Sequence, residues 1–538
     1  MDLTFDSLRY RYPSQRHLVY GRRGMVCASQ PLAAQAGLDM IKKGGNAFDA
    51  VLAAAVCLTL VEPMSCNMGG DGFALIWHEG KLYGLNASGP APMLLSVDAL
   101  KEAGYEKMPQ YGWGSVTVPG VVSGWSEINK RFGKLSLAEI FEPTIRYARE
   151  GFPVSPLISR MWQDCCNTLK KDLPKEQFDL WAADFLVDGH SPKAGEIFRL
   201  PGLADTLEEL AATGCESFYR GALAQKIDQY SRETGGYIRK EDLAAYNAQW
   251  VDPITVNYKG YDVWEIPPNG HGIVVLMTLK LLEKMDLSGG HDDAEVIHRQ
   301  LEAMKLAFTD GKRYVTDPRY MKPTVEQLLS DSYADERRAL IGDMALDPKP
   351  GNPFCGDTVY LNAADGDGNM ISYIQSTYFR FGSGLVLPGT GRVFQNRGFN
   401  FTMDETMENC VAPGKKPYHT IIPGFLTKDG KAVGPFGVMG GFMQPQGHVQ
   451  VINNMIDFHM NPQEALDAPR WMWSGDKNVT LEHGCGQSTA DTLARKGHNI
   501  TISTNSINFG RGQIIIRNDD GTLCGATEPR TDGTVAAW

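Results

Sequence analysis

The stretch Gly356-Asp357-Thr358-Val359-Tyr360-Leu361 opens the segment that decides the fold of this chain. Turn-forming Asp, Gly and Asn residues follow within 362–369, and a second run, Met370-Ile371-Ser372-Tyr373-Ile374-Gln375-Ser376, comes after them. Two runs rich in β-branched and aromatic residues on either side of such a cluster predict a β-hairpin. Its first strand begins at or near Thr358.

Thr358 has two interpretations at this position. A threonine that opens a strand is usually a β-branched residue in its preferred setting. If the chain is cut before Thr358, the residue gains an α-amine, with a reference pKa of about 7.7 to 8.0, beside the hydroxyl that this amine can deprotonate. The proline-rich residues 347–353 predict an exposed linker just upstream, where such a cut is tolerated.

Composition limits the class of protein. The chain has 538 residues, 43% of them hydrophobic and 21% charged, which is typical of a large globular protein. The net charge of -11 argues against a nucleic-acid partner. Residues 1–23 contain no apolar run typical of a secretion signal, and the apolar residues 50–61 are too few to span a membrane. The ten cysteines form no C-x-x-C pair, so we expect reduced thiols and a cytoplasmic protein without a membrane partner.

The remaining pattern mixes helices with antiparallel strands. Ile297, Leu301, Met304 and Phe308 have helical spacing, which predicts a helix with one face in the core. Further predicted elements are a strand, a helix, a turn and a second helix over 24–62 and a strand at 73–78. They continue with a strand that runs into a Pro/Gly loop over 82–92, strand-forming residues over 115–125 with a turn at Pro119-Gly120, a strand between glycine turns over 382–391, a hairpin over 425–431 and a helix over 447–459. This order predicts an α+β or layered α/β/α architecture.

Several common chemistries find no support. The glycine-rich residues 67–72 lack the spacing of a phosphate-binding loop, and neither G-x-S-x-G nor H-E-x-x-H occurs. His271, His298 and His448 do not have metal-ligand spacing. We therefore expect neither a metal nor an organic cofactor.

Eight short motifs carry a resemblance to a known family. They are Gly44-Gly45-Asn46-Ala47, Met68-Gly69-Gly70-Asp71-Gly72, Val118-Pro119-Gly120, Asp357-Thr358, Phe381-Gly382-Ser383-Gly384, Gly440-Gly441, Ala465-Leu466-Asp467-Ala468-Pro469-Arg470 and Gly525-Ala526-Thr527-Glu528-Pro529-Arg530. In this order they resemble the gamma-glutamyltransferase family of N-terminal nucleophile hydrolases, from about residue 24 to the end of the chain.

The resemblance implies a four-layer αββα sandwich formed by a precursor that cuts itself. The cut would fall between Asp357 and Thr358 and give a large subunit, 1–357, and a small subunit, 358–538, that stay together. Thr358 would attack an amide carbonyl of a small-molecule substrate, and water or an amine acceptor would release the acyl-enzyme. The resemblance leaves open a dimer of this αβ pair.

The resemblance also implies supporting catalytic residues. Ser376 corresponds to the family's second hydroxyl residue, a threonine in familiar members, and it is placed to hydrogen-bond Thr358; a polar strand residue that faces solvent is the alternative. Gly440 and Gly441 would present backbone N–H groups to the developing oxyanion. A strand-to-helix turn also requires glycine, so this pair alone does not identify an oxyanion hole.

The residues that would recognise a glutamyl group depart from the family pattern. Asn86 occupies the position of an arginine that holds the glutamyl carboxylate, and it cannot form a charged bidentate contact. The other changed positions are Tyr378, Arg397, Asn400, His419 and Thr420. Asn400 stands where the family has an aspartate, so an acidic partner for the substrate's ammonium group is lost. This loss and the gain of Arg397 favour a small acidic amide, such as oxamate, over a gamma-glutamyl amide such as glutathione. An uncleaved, catalytically silent binding protein remains the alternative of another class.

Overall fold

The predicted hairpin is the centre of the structure. The computed structural model describes residues 15–348 and 357–538. Strands Asp357–Asp365 and Met370–Tyr378 pair antiparallel, with Leu361 opposite Tyr373. The Asp365 carboxylate accepts the backbone N–H groups of Asp367 and Asn369 at 3.0 and 3.1 Å, which closes the turn. The hairpin prediction is confirmed.

Twenty-one strands and eighteen α-helices make up the described part of the chain. The strands are β1 (Val19–Gly21), β2 (Gly24–Ala28), β3 (Asp71–His78), β4 (Lys81–Ala87), β5 (Phe152–Pro153), β6 (Ile197–Phe198), β7 (Gln249–Val251), β8 (Ile254–Tyr258), β9 (Tyr261–Glu265), β10 (Asp357–Asp365), β11 (Met370–Tyr378), β12 (Val386–Leu387), β13 (Arg392–Val393), β14 (Gly424–Lys428), β15 (Lys431–Met439), β16 (Trp471–Gly475), β17 (Asn478–Glu482), β18 (Asn499–Ser503), β19 (Arg511–Arg517), β20 (Leu523–Thr527) and β21 (Thr534–Ala537). The helices are α1 (Pro31–Lys42), α2 (Ala47–Val61), α3 (Val97–Glu102), α4 (Val121–Phe132), α5 (Leu137–Glu150), α6 (Pro156–Asp172), α7 (Lys175–Phe185), α8 (Pro201–Ala212), α9 (Glu216–Arg220), α10 (Ala222–Glu233), α11 (Lys240–Ala245), α12 (Gly272–Leu282), α13 (Ala294–Tyr314), α14 (Val325–Leu328), α15 (Asp331–Arg338), α16 (Met443–Ile456), α17 (Pro462–Asp467) and α18 (Gln487–Arg495). Together they contain no helix long and apolar enough to cross a bilayer.

Two seven-stranded sheets form the inner layers. One has the order β21-β2-β10-β11-β3-β4-β7 and the other the order β1-β20-β19-β15-β14-β9-β8, and every pairing within them is antiparallel. Apolar side chains of α1, α2 and α5 pack on the outer face of the first sheet, and those of α12, α13 and α16 pack on the second. The four-layer αββα sandwich is therefore confirmed.

Two contacts fix how the sheets face each other. A Cβ at Gly437 on β15 would lie 2.4 Å from the Tyr360 ring on β10, so only glycine admits that ring. Farther along, the Asn362 side-chain amide donates to the Pro435 carbonyl at 3.3 Å. The two strands thus lie opposite each other and run in opposite directions. The end of β15, before Gly440, consequently approaches the start of β10 at Thr358.

Some local predictions differ from the structure. Residues 115–125 were expected to contain a strand and a turn at Pro119-Gly120, but Trp113–Ser115 is a 3-10 helix and α4 begins at Val121. Val121 and Val122 are buried in α4, and Val116 and Val118 are buried in the irregular segment before it, because tertiary packing overrides the strand preference of valine. Between the glycine turns of 382–391 only Val386–Leu387 is a strand. Most of the predicted linker 347–353 lies outside the described residues, whereas the helix through Ile297 and Phe308 and the hairpin at 425–431 are confirmed.

A buried polar chain ties α13 to the segment that leads to residue 348. The Lys305 ammonium donates to Glu302 at 2.7 Å and lies 3.4 Å from His498 Nδ1. His498 Nε2 lies 2.9 Å from His298 Nδ1, and His298 Nε2 reaches the Gly342 carbonyl at 2.9 Å. If each ring donates through Nε2, every nitrogen in the chain has a partner. These histidines and Glu302 converge closely enough for a metal ion, which sequence spacing did not reveal, but the ammonium among them opposes a cation.

The buried pair gives the first prediction. Lys305→Met leaves the Glu302 carboxylate without its cation, and we expect the free energy of unfolding to fall by about 3 to 5 kcal/mol. Chemical denaturation at neutral pH measures the change. Lys284→Met is the matched control, because Lys284 and Asp335 form an exposed pair, and it should cost less than about 1 kcal/mol. Equal losses in the two variants would contradict the assignment.

Candidate active site

Thr358 lies at an irregularity of the central hairpin. Asp357 pairs with Tyr378 and Val359 pairs with Gln375, so two residues of β11, Ser376 and Thr377, stand opposite the single residue Thr358. Such a bulge re-aims side chains next to it. The Thr358 hydroxyl donates to the Ser376 hydroxyl at 3.1 Å, and both residues are buried. The two hydroxyls predicted to act together are therefore adjacent.

Tyr378 and Arg397 form the wall next to this pair. Tyr378 has φ +80°, and its backbone N–H donates to the Ser376 hydroxyl at 2.8 Å. The Arg397 guanidinium lies 4.2 Å from the centre of the Tyr378 ring and donates through Nη1 to the Thr420 hydroxyl at 2.7 Å. Arg397 is fully buried, yet its Nε and Nη2 atoms have no hydrogen-bond partner among residues 15–348 and 357–538. Burial lowers the pKa of Arg397 to about 10, which leaves it charged at neutral pH.

Asp71 connects this wall to the glycine-rich loops. Its Oδ1 accepts the backbone N–H groups of Gly89 and Gly120 and the side-chain amide of Gln395, at 3.0 to 3.2 Å. Its Oδ2 lies 3.0 Å from His419 Nε2. Because His419 Nδ1 accepts the Ile421 N–H at 3.4 Å, the neutral imidazole carries its proton on Nε2 and donates to Asp71. Burial lowers the pKa of His419 well below its usual value.

Gly440 and Gly441 lie in the turn between β15 and α16. Both have positive φ, +139° and +59°, which favours glycine. Their carbonyls accept the N–H groups of Met443 and Gln444, and neither glycine's own N–H donates a hydrogen bond within residues 15–348 and 357–538. The opposed directions of β10 and β15 bring this turn to the Thr358 end of the site. Two backbone donors are thus available there.

A cavity of about 750 Å³ opens at the same end of the sheet. Asn86 lines it, accepts hydrogen bonds from Ser88 and donates to Asn269 at 3.0 Å. Lys416 lines it as well, with its ammonium 3.4 Å from the Asn86 carbonyl oxygen. Asn400 is placed differently, since its side chain donates to the Tyr418 carbonyl at 3.0 Å and supports the 418–420 segment.

Strand register explains why these residues meet. Ser376 stands opposite Asp71, Phe73 stands opposite Asn86, and Asn86 stands opposite Gln249. Opposite residues share a face, as do residues two apart on one strand. The side chains of Ser376, Asp71, Asn86 and Gln249 therefore lie on one face, at one end of four neighbouring strands.

The structure brings most of the predicted site residues together. Thr358, Ser376, Tyr378, Arg397, His419 and Thr420 form one connected cluster, Asn86 borders the adjoining cavity, and Gly440 and Gly441 lie in the facing turn. Sequence analysis missed three participants: Asp71, Gln395 and Lys416. Asp71 stands in the quoted motif Met68-Gly69-Gly70-Asp71-Gly72, and an acidic residue inside a glycine-rich turn is the signal that could have identified it.

Comparison with known proteins identifies the family of this chain. A family model described as gamma-glutamyltranspeptidase matches residues 33–538. The chain belongs to the gamma-glutamyltranspeptidase family. Its relatives carry the names of hydrolase proenzymes, and this chain is an enzyme of the same hydrolase family.

Three proteins similar to this chain carry names that state different activities. The glutathione hydrolase-like YwrD proenzyme of Bacillus subtilis is 36% identical over 96% of this chain and 98% of its own. The oxamate amidohydrolase proenzyme of Klebsiella pneumoniae is 34% identical over the same shares. The crystal structure of cephalosporin acylase from Bacillus halodurans has a TM-score of 0.96 and 53% identity, and the match covers 100% of this chain and 99% of that one.

Asp71 gives a prediction with a defined pH direction. Burial raises the pKa of Asp71 to about 7, and the charge of Arg397 opposes this rise. Between about pH 4 and pH 7 the folded state then holds a proton that the unfolded state has lost. The free energy of unfolding of the wild type should therefore fall relative to Asp71→Asn by up to about 1.4 kcal/mol per pH unit as the pH rises through this window.

Thermal or urea unfolding of both proteins at several pH values between 4 and 8 measures this difference. Asp286→Asn is a matched control, because Asp286 is exposed and its pKa is lowered, chiefly by hydrogen bonds with Ser288. Parallel stability curves for the wild type and Asp71→Asn across the whole range would contradict the raised pKa.

Proposed function

We propose that this chain cleaves itself between Asp357 and Thr358 and then hydrolyses amides through the new N-terminal threonine. One observation carries the proposal: the Thr358 hydroxyl lies 3.1 Å from the Ser376 hydroxyl, at a bulge at the start of the central strand. The large subunit would comprise residues 1–357 and the small subunit residues 358–538. Each seven-stranded sheet contains strands from both sides of the cut, so the subunits would remain joined after it.

Both reactions use the same hydroxyl. In the first, Thr358 Oγ1 attacks the carbonyl carbon of Asp357, the peptide C–N bond breaks as its nitrogen takes up a proton, and water hydrolyses the resulting ester. In the second, the freed α-amine accepts the proton of Oγ1 as the oxygen attacks a substrate amide. The leaving amine departs with a proton, and water releases the acid from the acyl-enzyme. Transfer to an amine in place of water is the related outcome.

Supporting groups have distinct roles in this proposal. Ser376 Oγ accepts the Thr358 hydroxyl and the Tyr378 N–H, which orients the nucleophile. Gly440 and Gly441 supply the N–H donors for the oxyanion. Removal of one such donor typically costs about 2.7 to 4 kcal/mol of transition-state stabilisation. Asp71 and His419 are hydrogen-bonded to each other and support the segment that places Thr420 against Arg397.

Charge at the site favours an acyl group with a carboxylate and without an amino group. Arg397 has two donor atoms without partners in a fully buried position, and an anion satisfies them. An ammonium would need an acid, but Asp71 already accepts four hydrogen bonds and Asn400 is neutral. Gamma-glutamyl transfer or hydrolysis is thus the second candidate. The names of the relatives, which include an oxamate amidohydrolase and a cephalosporin acylase, support amide hydrolysis of more than one kind.

A cytoplasmic location belongs to the same proposal. Nine cysteines of the described residues are free thiols, as expected in a reducing compartment. A dimer of the αβ pair remains a prediction from the family resemblance.

Cleavage is tested on a denaturing gel. The 59.2 kDa chain should appear as two bands of about 39 and 20 kDa, in proportion to 357 and 181 residues. Thr358→Ala should run as one full-length band without amide turnover, and Thr358→Ser should still cleave. Thr377→Ala is the matched control, because the buried Thr377 hydroxyl has no hydrogen-bond partner in the described part of the chain and the variant should cleave normally. A single wild-type band would support the silent binding protein instead.

The role of Arg397 is tested with paired substrates. Arg397→Gln should lower kcat/KM for oxamate by about 10- to 100-fold, which is the usual worth of a hydrogen bond to a charged group. Turnover of an uncharged amide of similar size should change much less. Ammonia release measures both reactions. If gamma-glutamyl-p-nitroanilide is hydrolysed vigorously while oxamate releases no ammonia, the small acidic amide is excluded.

A further inference from the structure

The turn that carries Gly440 and Gly441 leads directly into α16. The first residues of this helix include Gln444-Pro445-Gln446-Gly447-His448, a motif to which the catalytic proposal gives no role. A Cβ at Gly447 would lie 2.6 Å from a side-chain carbon of Val438, so glycine lets α16 pack closely on β15. The strand before the turn and the helix after it are thus fixed against each other.

Gln444 joins this turn to a second segment of the site, residues 418–422. Its backbone N–H donates to the Gly441 carbonyl at 3.2 Å, and its side-chain oxygen accepts the backbone N–H of Ile422 at 3.0 Å. Gln444 and Ile422 are both fully buried. The Gln444 side-chain nitrogen has no hydrogen-bond partner within 15–348 and 357–538, so the side chain acts there through its oxygen alone.

The segment 418–422 belongs to the active-site cluster described above. His419 in this segment donates to Asp71, and Thr420 accepts a hydrogen bond from Arg397. A residue that fixes the turn against this segment therefore also fixes the two glycine N–H groups against the rest of the site.

Aromatic packing joins the same two segments a second time. The Phe442 ring stacks on the Tyr418 ring, with 6.0 Å between the ring centres and 19° between the planes. His271 packs edge-on against both rings, and its backbone N–H donates to the His419 carbonyl at 2.9 Å. The turn and the segment 418–422 are thus linked at two positions, Phe442 and Gln444.

Two other glutamines hold α16 to β16. Gln446 exchanges two hydrogen bonds with the backbone of Trp473, at 2.7 and 3.1 Å, and also donates to the Phe442 carbonyl at 3.1 Å. Gln450 exchanges two hydrogen bonds with the backbone of Trp471, at 3.1 and 3.0 Å, and donates to the Gln446 carbonyl. Gln450 is a buried glutamine of the same helix whose hydrogen bonds lie away from the turn.

We propose that Gln444 is a positioning residue for the oxyanion. By holding Ile422, it keeps the Gly440 and Gly441 N–H groups where negative charge develops on the substrate during attack by Thr358. Oxyanion donors need to lie about 2.7 to 3.1 Å from the charged oxygen, and a misplacement of about 1 Å can cost about 100-fold in rate. The inference rests on the proposed amide hydrolysis, and Gln444 itself touches none of the reacting atoms.

Gln444→Met tests this role, because methionine has a similar length and no oxygen for Ile422. The substrate is the amide that the wild type hydrolyses, oxamate or gamma-glutamyl-p-nitroanilide. Formation and hydrolysis of the acyl-enzyme both pass through an oxyanion, whereas substrate binding does not. We therefore expect kcat to fall by about 10- to 100-fold and KM to change by less than about threefold. Gln444→Glu, which keeps an oxygen acceptor, should recover part of the lost kcat.

Gln450→Met is the matched control. It removes buried hydrogen bonds from the same helix, so it should lower Tm at least as much as Gln444→Met does. Its kcat should stay near that of the wild type, because its contacts do not reach the turn. Equal losses of kcat in the two variants would assign the effect to a loosened helix and would overturn the role of Gln444.

Phe442→Leu gives a second test of the same link. It removes the stack on Tyr418, and we expect a smaller fall in kcat, again with KM nearly unchanged. Because both side chains hold one link, the double variant should lose less than the product of the two single effects. Effects that simply multiply would contradict a shared link. If Gln444→Met does not fold, a normal kcat in Phe442→Leu overturns the inference.

The wild type separates failure of this inference from failure of the proposed function. A wild type that runs as two bands and hydrolyses the amide, beside a Gln444→Met variant with unchanged kcat, would overturn the inference alone. A wild type that stays as one band, or turns over no amide, would overturn the proposed function and this inference with it.

Discussion

The buried carboxylate of Asp71 is the interaction on which the site depends. It accepts hydrogen bonds from Gly89, Gly120, Gln395 and His419, which belong to four separate stretches of the chain. A carboxylate taken out of water is costly unless such donors replace the solvent. The requirement to satisfy one acid therefore holds the loops of the site in a fixed arrangement, and the register of β3 against β11 places this acid beside Ser376.

Two groups of buried charges in the described structure differ in how completely their polar atoms are hydrogen-bonded. Lys305, Glu302, His298 and His498 form a closed chain in which each polar atom has a partner. Arg397 is just as buried but keeps two donor atoms without partners. A closed network satisfies its charges within the fold, whereas the open donors of Arg397 are available to the anionic substrate proposed above. Arg397 borders the nucleophile hairpin, and the Lys305 chain anchors a helix.

Much of the fold could be predicted because its signals are local. The hairpin at Thr358 is indicated by turn residues between two strand-forming runs. The helix through Ile297 and Phe308 is indicated by the helical spacing of its apolar residues. Residues 115–125 were misjudged because β-branched residues carry a strand preference that burial against a sheet overrides. The layered architecture came from the order of motifs and the resemblance that they carry, not from any one pattern.

Site residues could be predicted only where they lie within a recognisable stretch of sequence. Thr358, Ser376 and the two glycines have fixed positions within motifs, so their neighbourhood could be anticipated. Asp71 and Lys416 could not be assigned in the same way, because their meaning depends on contacts across hundreds of positions. Lys416, in the loop before Tyr418, reaches Asn86 on β4, 330 residues earlier in the chain, and Gln249 on β7. The fold therefore brings a cation to within 3.4 Å of the Asn86 side chain from a distant segment, and no local sequence pattern reveals this contact.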